Sequence, residues 1–351
     1  MVKVYPKCGT VNDHLNQLCG YKLPQLTAYT PPPPYAPPTG YQPSGRKKGK
    51  ASQIAVMLAV IVIFAIGEYL YYNAISTFGV NEVHIETIPL PGKVPIGITY
   101  DPSNGYLYVA DTGSGTLSII DPSTNKVIGN IQLAPYIRCI AYDPSNGYLY
   151  VTDFEGNSVL VVNPSTNKLI GEIGVGTEPT GIIYDPSNGY LYVTNRGSNT
   201  VSVINPSTDQ VIANIHVGTC PIRLTYDPSN GYIYVTNYGS NDVSVINPST
   251  DQVIGEIMVG SKPAGIVYDP SNGYLYVVDF KSNMVSVVNP STDQVIASIT
   301  GIECPFGITY DPDDGYIYVA GSDVYVINPS TNKVTSSIST GGVSCEITFD
   351  P

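Results

Sequence analysis

This sequence has few histidines, few charged residues and little of the residue spacing that marks amphipathic helices. Only three of the 351 residues are histidine, and Asp, Glu, Lys and Arg together make up 13%. No stretch of its repeated part spaces apolar residues at the interval of an amphipathic helix, which excludes a helical bundle there. The acceptor pattern Asn-x-Ser/Thr with x other than Pro does not occur, so we expect no N-glycosylation. Tyr, Gly and Pro are abundant instead, and they favour strands and tight turns.

The chain is organised around the stretch YDPSNGYLYV, which first begins at Tyr100. It returns five times at intervals of 42 residues, and a last trace follows after 39 more. A fixed period of this size indicates a repeat architecture and decides the fold. The copies begin at Tyr100, Tyr142, Tyr184, Tyr226, Tyr268 and Tyr310, and the trace is Phe349-Asp350-Pro351.

Each repeat contains four short runs rich in Val, Ile, Thr and Tyr, bounded by turn residues. In the unit that begins at Gly181 these runs are Ile182–Tyr184, Tyr190–Thr194, Thr200–Ile204 and Gln210–Val217. Four antiparallel strands in about 40 residues form one β-propeller blade, and blades stack in a ring to bury their two faces. The sequence therefore predicts an all-β propeller of four-stranded antiparallel blades over residues 81–351, preceded by one transmembrane helix.

The two ends of the repeat array leave the number of blades open. Val83–Leu90 aligns with a fourth, outermost strand, and Ser344–Phe349 aligns with a first, innermost strand. Together they make a partial seventh unit without its two middle strands. Either six full blades close the ring and these pieces are accessory, or the chain is a truncated seven-blade propeller. An open ring would expose strand edges, which is a liability.

The second strand of the repeat carries a family signature. The tetrapeptide Tyr-Val-Thr-Asn stands intact at Tyr192–Asn195 and Tyr234–Asn237, with variants in the other four units. Residues 81–351 thereby resemble the YVTN family of β-propeller repeats. The resemblance implies a location typical of archaeal cell-surface and surface-layer proteins, and it implies no particular reaction.

Residues 1–23 resemble a small zinc ribbon that has lost half of its ligands. That family has two Cys-x-x-Cys-Gly knuckles, because tetrahedral zinc takes four N or S ligands. Here Tyr5 and Asn16 replace the first Cys of each knuckle, and Cys8 and Cys19 remain with His14 as one other candidate ligand. We therefore predict a degenerate ribbon without metal, and no cofactor for the chain.

A Pro-rich and basic linker over residues 24–50 leads into an apolar segment. The run Ile54–Ile66 is short for a bilayer, but it continues into a stretch whose tyrosines are placed as an interfacial belt. A helix of about 22 residues is about 33 Å long and can cross. Because Arg46–Lys50 is basic, we expect residues 51–75 to span the cell membrane once, with a cytoplasmic N-terminus and an extracellular propeller. Processing near Gly49 is an alternative, since the segment also resembles archaeal pilin-type signals.

Charge is divided unequally along the chain. Residues 1–50 contain seven Lys/Arg and one acid, whereas residues 81–351 contain nine Lys/Arg and 26 acids. A domain this acidic is a poor nucleic-acid binder, because phosphate binding needs a positive surface. The low overall charge is expected of an extracellular all-β protein. We expect a protein or glycan partner at the cell surface.

The two ends of the predicted ring differ in variability. At the uniform end, the loops after the first and third strands carry DPSNG and NPST, and turn chemistry accounts for them. At the variable end lie the loops between the second and third strands and the segments that enter each blade. Exposed aromatic and Arg side chains are enriched at binding hot spots, so we predict that the variable end binds. The candidate residues are Arg138, Phe154, Glu155, Glu178, Arg196, Arg223, Tyr238, Lys262, Phe280, Lys281 and Phe306.

No arrangement of residues predicts catalysis. His84 and His216 fall on outermost strands, and the acids expected nearest the axis, Glu178, Glu303 and Glu346, form no known motif with a nucleophile or base. The sequence favours a membrane-anchored, non-enzymatic module for interaction, adhesion or envelope association. A lactonase- or lyase-like propeller enzyme with a site in the central channel is the alternative.

Four cysteines fall in the part of the chain expected outside the membrane, where disulfides persist. Cys220 and Cys304 occupy the same repeat position two blades apart, which makes their direct pairing doubtful. Cys304 and Cys345 lie in successive units near the inner end, so they are the candidate disulfide pair.

Overall fold

The computed structural model describes residues 94–340, Ile88, Leu90 and five further strands that are named below. It shows six four-stranded antiparallel sheets arranged as propeller blades. Within each blade the strands follow chain order, and the first strands of successive blades contact each other around the axis. This confirms the predicted all-β propeller, and no helix occurs among the described residues. The strands are Pro95–Asp101, Tyr106–Asp111, Thr116–Asp121 and Lys126–Gln132 in blade 1; Ile137–Asp143, Tyr148–Asp153, Ser158–Asn163 and Lys168–Gly174 in blade 2; Pro179–Asp185, Tyr190–Asn195, Thr200–Asn205 and Gln210–His216 in blade 3; Pro221–Asp227, Tyr232–Asn237, Asp242–Asn247 and Gln252–Met258 in blade 4; Pro263–Asp269, Tyr274–Asp279, Met284–Asn289 and Gln294–Thr300 in blade 5; and Gly307–Tyr310, Ile317–Ala320, Val324–Asn328 and Lys333–Ile338 in blade 6. The further strands are Val2–Pro6, Met57–Val60, Tyr72–Asn73, Val83–Glu86 and Ser344–Phe349.

The turn between the first and second strands is fixed by its own side chains. In blade 3 the buried Asp185 accepts hydrogen bonds from the backbone N and the Oγ of Ser187, at 2.8 and 2.7 Å. Asn188 donates through Nδ2 to the Oη of Tyr192 at 2.9 Å. Gly189 has a φ of +77°, a conformation that costs other residues more. This network explains the repeated sequence of the uniform end without reference to a ligand.

The core lies between neighbouring blades. Tyr192 on the second strand of blade 3 is fully buried and packs with Val201 and Val203 of its own blade and with Leu224 and Ile233 of blade 4. The same contact recurs for the equivalent tyrosines of blades 1, 2, 4 and 5, so these tyrosines are core residues. Because each blade buries its faces against its neighbours, burial of apolar surface stabilises the ring as a whole. The equivalent buried tyrosines are Tyr108, Tyr150, Tyr192, Tyr234, Tyr276 and Tyr318.

An additional inner strand closes the ring. Ser344–Phe349 lies between the first strands of blades 6 and 1 and contacts both. Val2–Pro6 pairs with it in antiparallel register and also contacts Met57–Val60. Val83–Glu86 pairs in parallel with Met57–Val60 and antiparallel with Tyr72–Asn73. Six blades are therefore complete, and the seventh position is assembled from separate segments of the two chain ends.

Most of the predictions for the N-terminal part fall outside the described residues. This holds for the degenerate ribbon over residues 1–23, of which one strand is described, and for the linker over residues 24–50. Of the predicted transmembrane segment, residues 51–75, Met57–Val60 and Tyr72–Asn73 are described, and both are strands. Nowhere in the described part of the chain is there a helix with the length and apolar character needed to cross a membrane. The predicted transmembrane helix is therefore not confirmed.

Candidate functional site

The two kinds of loop at the variable end are joined by backbone hydrogen bonds. In blade 3 the N–H of Arg196, between the second and third strands, donates to the carbonyl O of Glu178 on the segment that enters the blade, at 3.0 Å. In blade 4 the equivalent bond runs from Tyr238 to Cys220, also at 3.0 Å. The loops that vary in sequence therefore lie side by side at one end of the ring, as predicted.

Each segment that enters a blade holds a non-glycine residue in the left-handed conformation, with φ between 49° and 63°. Such values are uncommon outside Gly and persist where the surroundings fix them. In blades 3 to 6 an Asn from the preceding blade supplies a fixing contact, for example the Oδ1 of Asn199, which accepts from the backbone N of Cys220 at 2.9 Å. Asn241 does the same for Lys262 at 2.9 Å. The left-handed residues are Val94, Tyr136, Glu178, Cys220, Lys262 and Cys304.

These Asn residues belong to the site, and sequence reasoning recognised them only as turn residues. The pattern Gly-Ser-Asn at Gly197–Asn199 predicts a turn, which the structure confirms. The bond from Asn199 to the next blade joins residues 21 positions apart, so local sequence gives no sign of it. The recurrence of Asn at this position in four of the six repeats, Asn157, Asn199, Asn241 and Asn283, is the signal that could show it.

Aromatic rings from three successive blades meet at the variable end. The ring centroids of Tyr238 and Phe280 are 6.4 Å apart, and Phe280 meets Phe306 edge-on at 6.1 Å. The Nζ of Lys262 lies 4.8 Å from the centroid of the Tyr238 ring, within reach of a cation–π interaction. Four predicted residues are thus brought together, and we call them the aromatic cluster. Phe280 and Phe306 are partly exposed, so the cluster presents apolar surface to solvent.

Two further pairs of predicted residues form on blades 2 and 3. The guanidinium of Arg138 lies over the ring of Phe154, 4.6 Å from its centroid, and Nη1 of Arg196 donates to Oε2 of Glu178 at 2.5 Å. Arg138, Arg196 and Tyr238 are only 7%, 8% and 6% exposed. The expectation that these three present exposed side chains is therefore wrong, because they pack against other residues of the rim.

Positive charge is concentrated at the variable end. Five of the nine Lys/Arg after residue 80 are on its loops or just inside it, including every Arg. Lys281 is exposed on a loop of blade 5, and Glu155 is exposed on the corresponding loop of blade 2. Lys126, Lys168 and Lys333, in contrast, begin fourth strands at the uniform end. The variable end of this acidic domain therefore differs from the uniform end in charge and in aromatic content.

Arg223 lies near the axis and not on the rim. Its Nη1 donates to the Sγ of Cys139, two blades away. On the rim, Cys304 has a free thiol and is exposed as a residue. Partial desolvation of its sulfur and the negative charge of the nearby Glu303 raise the pKa of this thiol. The side chain of Cys345, its predicted disulfide partner, lies outside the described residues. The residues predicted to bind therefore lie in two places: most are on the rim of the variable end, and Arg223 is near the axis.

Two buried carboxyls lie close to the variable end. Asp111 and Asp279 end the second strands of blades 1 and 5, and desolvation raises the pKa of each from 3.8 to about 7. Each accepts a hydrogen bond at 2.6 Å from a serine of the third strand, Ser118 or Ser286. Perturbed carboxyls often mark active sites, but here the partners are structural neighbours within one blade. In the described part of the chain no group of three or more His, Cys, Asp or Glu is placed to hold a metal ion.

Comparison with known proteins agrees with this geometry. Residues 138–305 match a family model described as a repeat of unknown function (DUF6923). The chain is a six-bladed β-propeller built from repeats. No curated protein matches it.

Solved structures share this fold at low sequence identity. A functionally unknown protein from Desulfotomaculum acetoxidans is similar with a TM-score of 0.64 and 15% identity, over 74% of this chain and 90% of its own. Kuenenia stuttgartiensis Hydrazine Synthase is similar with a TM-score of 0.61 and 22% identity, over 68% and 79%. Dihydro-heme d1 dehydrogenase NirN in complex with DHE is similar with a TM-score of 0.59 and 12% identity, over 72% and 57%. At these identities the similarity shows the fold alone.

Proposed function

We propose that this propeller is a membrane-anchored module that binds a protein or glycan partner at the cell surface through its variable end, without catalysis. The observation that carries the proposal is the meeting of the aromatic cluster with cationic side chains at one end of the ring. Aromatic and Arg side chains supply much of the binding energy at protein interfaces. The turns of the uniform end bond mainly to their own side chains and backbone, and among the described residues this end has no comparable aromatic cluster.

The rim is preorganised for binding. Arg138 is held over Phe154, and Arg196 is held by Glu178, so these two buried side chains fix the loops of the rim before a partner docks. The Asn contacts between blades hold the backbone beneath them. Lys281 lies beside Phe280 and adds an exposed charge to the partly apolar surface. Together these features favour a partner with an apolar patch and acidic or polar groups around it.

The anchoring part of the proposal is supported by sequence. A basic stretch, Arg46–Lys50, precedes the apolar run Ile54–Ile66, and the YVTN resemblance implies an archaeal cell-surface setting. One observation stands against it. Val2–Pro6 pairs with Ser344–Phe349, which places segments before and after residues 51–75 on the same side of any membrane. A single crossing and this pairing exclude each other, so anchoring needs its own experiment.

A catalytic role in the central channel is the second candidate, and the contact of Arg223 with Cys139 near the axis favours it. Two of the similar structures carry the names of a synthase and a dehydrogenase, at identities of 22% and 12%. Those names belong to those proteins. A guanidinium keeps its proton at any working pH, so Arg223 binds and orients groups and does not exchange protons. Binding is therefore the function that we propose.

The surface proposal is tested with a double variant, Phe280→Ala with Lys281→Glu, in the full-length protein in detergent. The measurement is its dissociation constant for isolated cell envelopes of the source organism. Loss of an aromatic anchor and reversal of the adjacent charge are expected to weaken binding by about tenfold or more. Thermal unfolding of the double variant verifies that it folds.

The matched control is Leu169→Ala with Lys168→Glu, which makes the same kinds of change on the exposed fourth strand of blade 2. It is expected to bind envelopes like the unchanged protein. Equal loss in both double variants would show a general charge effect, and no loss in the first would refute binding through the variable end.

A further inference from the structure

A cavity of about 140 Å³ lies inside the ring of first strands. Because first strands line the axis of a propeller, the cavity is part of the central channel. Blades 1 to 4 each contribute two adjacent residues to its wall. It is separate from the rim surface of the proposed function. The lining residues are Gly97, Ile98, Cys139, Ile140, Gly181, Ile182, Arg223 and Leu224.

The otherwise similar repeats differ at this cavity. Three residues before the tyrosine that opens each repeat, four of the six blades have Gly, whereas blade 2 has Cys139 and blade 4 has Arg223. The glycines allow close approach of neighbouring first strands. A Cβ on Gly97, for example, would lie 2.2 Å from the carbonyl O of Arg138. At this position, therefore, only blades 2 and 4 of the six blades bring a side chain to the channel.

These two side chains meet inside the ring. The Nη1 of Arg223 donates to the Sγ of Cys139, which is 8% exposed. The residue that follows in each first strand is Ile or Leu, so an aliphatic wall of four side chains lies beside this polar pair. A few precisely placed polar groups beside apolar side chains are typical of small-molecule sites.

We propose that the axial cavity binds a small monocarboxylate. Arg223 holds the carboxylate, because a planar guanidinium matches it in charge and hydrogen-bond geometry. The short apolar tail lies against the aliphatic wall. Cys139 is a positioning residue, since its sulfur accepts a hydrogen bond from Nη1 and orients the guanidinium. At about 30 Å³ per water molecule the cavity has the volume of about five waters, and propionate has five non-hydrogen atoms.

The test uses sodium propionate and the full-length protein in detergent, with binding measured by calorimetry at constant ionic strength. Saturable binding is expected for the unchanged protein, and about tenfold weaker binding is expected for Arg223→Gln. Lys168→Gln, which removes an exposed cation on the fourth strand of blade 2, is the control and should bind normally. Equal propionate binding in Arg223→Gln, or no saturable binding by the unchanged protein, would overturn the proposal.

A second readout does not depend on the variants folding. N-ethylmaleimide labelling of the unchanged protein is followed at each cysteine by mass spectrometry, with and without propionate. Bound propionate is expected to slow labelling of Cys139 and to leave that of the exposed Cys304 unchanged. Equal labelling of Cys139 in both conditions would also refute the site. Envelope binding by the rim is measured independently, so the two proposals can fail separately.

Discussion

At the scale of single residues, the Tyr-Val-Thr-Asn motif divides its structural tasks. Tyr192 fills the core between blades, and Asn195 donates through Nδ2 to the Oγ of Ser202 at 2.8 Å. Thr194 donates through Oγ1 to the carbonyl O of Ile222 in the next blade at 3.0 Å. The core role of the tyrosine follows from sequence, because alternation along a strand predicts it. The hydrogen bond of Thr194 cannot be predicted from local sequence, since it joins residues 28 positions apart.

Asp111, at the last position of this motif in blade 1, should make the stability of the protein depend on pH. It takes the place that Asn has in blades 3 and 4, and burial raises its pKa from 3.8 to about 7. The folded state therefore holds the proton more tightly than the unfolded chain. Its contribution to stability is fully present below pH 3.8 and is lost as the pH rises through about 7. At about 1.4 kcal/mol per pKa unit, the ionised carboxyl costs the fold up to about 4 kcal/mol.

We expect Asp111→Asn to raise the free energy of unfolding by roughly 2 kcal/mol at pH 8 and to change it little at pH 4. The amide can donate to Ser118 as Asn195 does to Ser202 in blade 3. Urea unfolding at the two pH values measures the effect. Asn195→Asp is the reciprocal control and should destabilise the protein at pH 8. A gain for Asp111→Asn that is equal at both pH values would contradict the assignment.

At the scale of elements, the fourth strands combine an exposed edge with an exposed side chain. In blade 3 the pairing of the third and fourth strands shifts register between Val203 and Ile204, which leaves Ile212 as an extra residue in the outer strand. Ile212 is 46% exposed. Such bulges blunt edge strands against pairing with other chains. In blade 6 the extra residue is Thr335, so the repeat tolerates a polar side chain there.

Replacing four of the five exposed isoleucines of the outer strands by Thr should therefore improve solubility without loss of stability. The variant combines changes at Ile128, Ile170, Ile212 and Ile254, each 46% to 50% exposed. We expect less light scattering at high concentration and an unfolding midpoint close to that of the unchanged protein.

The control for this prediction is Ile215→Thr, on the buried face of the same outer strand. Ile215 is 3% exposed, so its replacement should cost about 2 kcal/mol or more. A comparable loss of stability from the four exposed substitutions would show that the bulge residues pack against something beyond their own blade.

The elements also show how far sequence reasoning reaches. The runs Tyr190–Thr194 and Thr200–Ile204 appear as strands that are one residue longer, because turn residues mark their ends. The variable end was located correctly, since antiparallel connectivity alone fixes which loops share an end. The burial of Arg138 and Arg196 was missed, because each depends on a partner 16 or 18 residues away. Local pattern determines elements and ends, whereas contacts between loops determine which side chains a partner can reach.

At the scale of the whole molecule, closure of the ring and attachment to a membrane compete for the same chain ends. Ser344–Phe349 completes the inner ring, and in the structure Val2–Pro6 covers its edge. If residues 51–75 cross a membrane once, Val2–Pro6 is on the opposite side and that edge is uncovered. An uncovered edge strand invites pairing with another chain. Whether residues 51–75 cross a membrane therefore determines whether Val2–Pro6 can cover the edge of Ser344–Phe349.

We expect the single crossing to hold, because the basic stretch Arg46–Lys50 retains the N-terminus in the cytoplasm. The measurement is protease digestion of intact cells that carry the full-length protein with one peptide tag before Met1 and another after Pro351. The first tag should be protected and the second removed, and lysed cells should lose both. Removal of both tags from intact cells would instead place both chain ends outside and support closure by Val2–Pro6. In that case a chain that begins at residue 76 should also unfold at a lower temperature, because it lacks the strand that covers Ser344–Phe349. If the single crossing holds, the same truncation should leave the unfolding midpoint of the propeller unchanged.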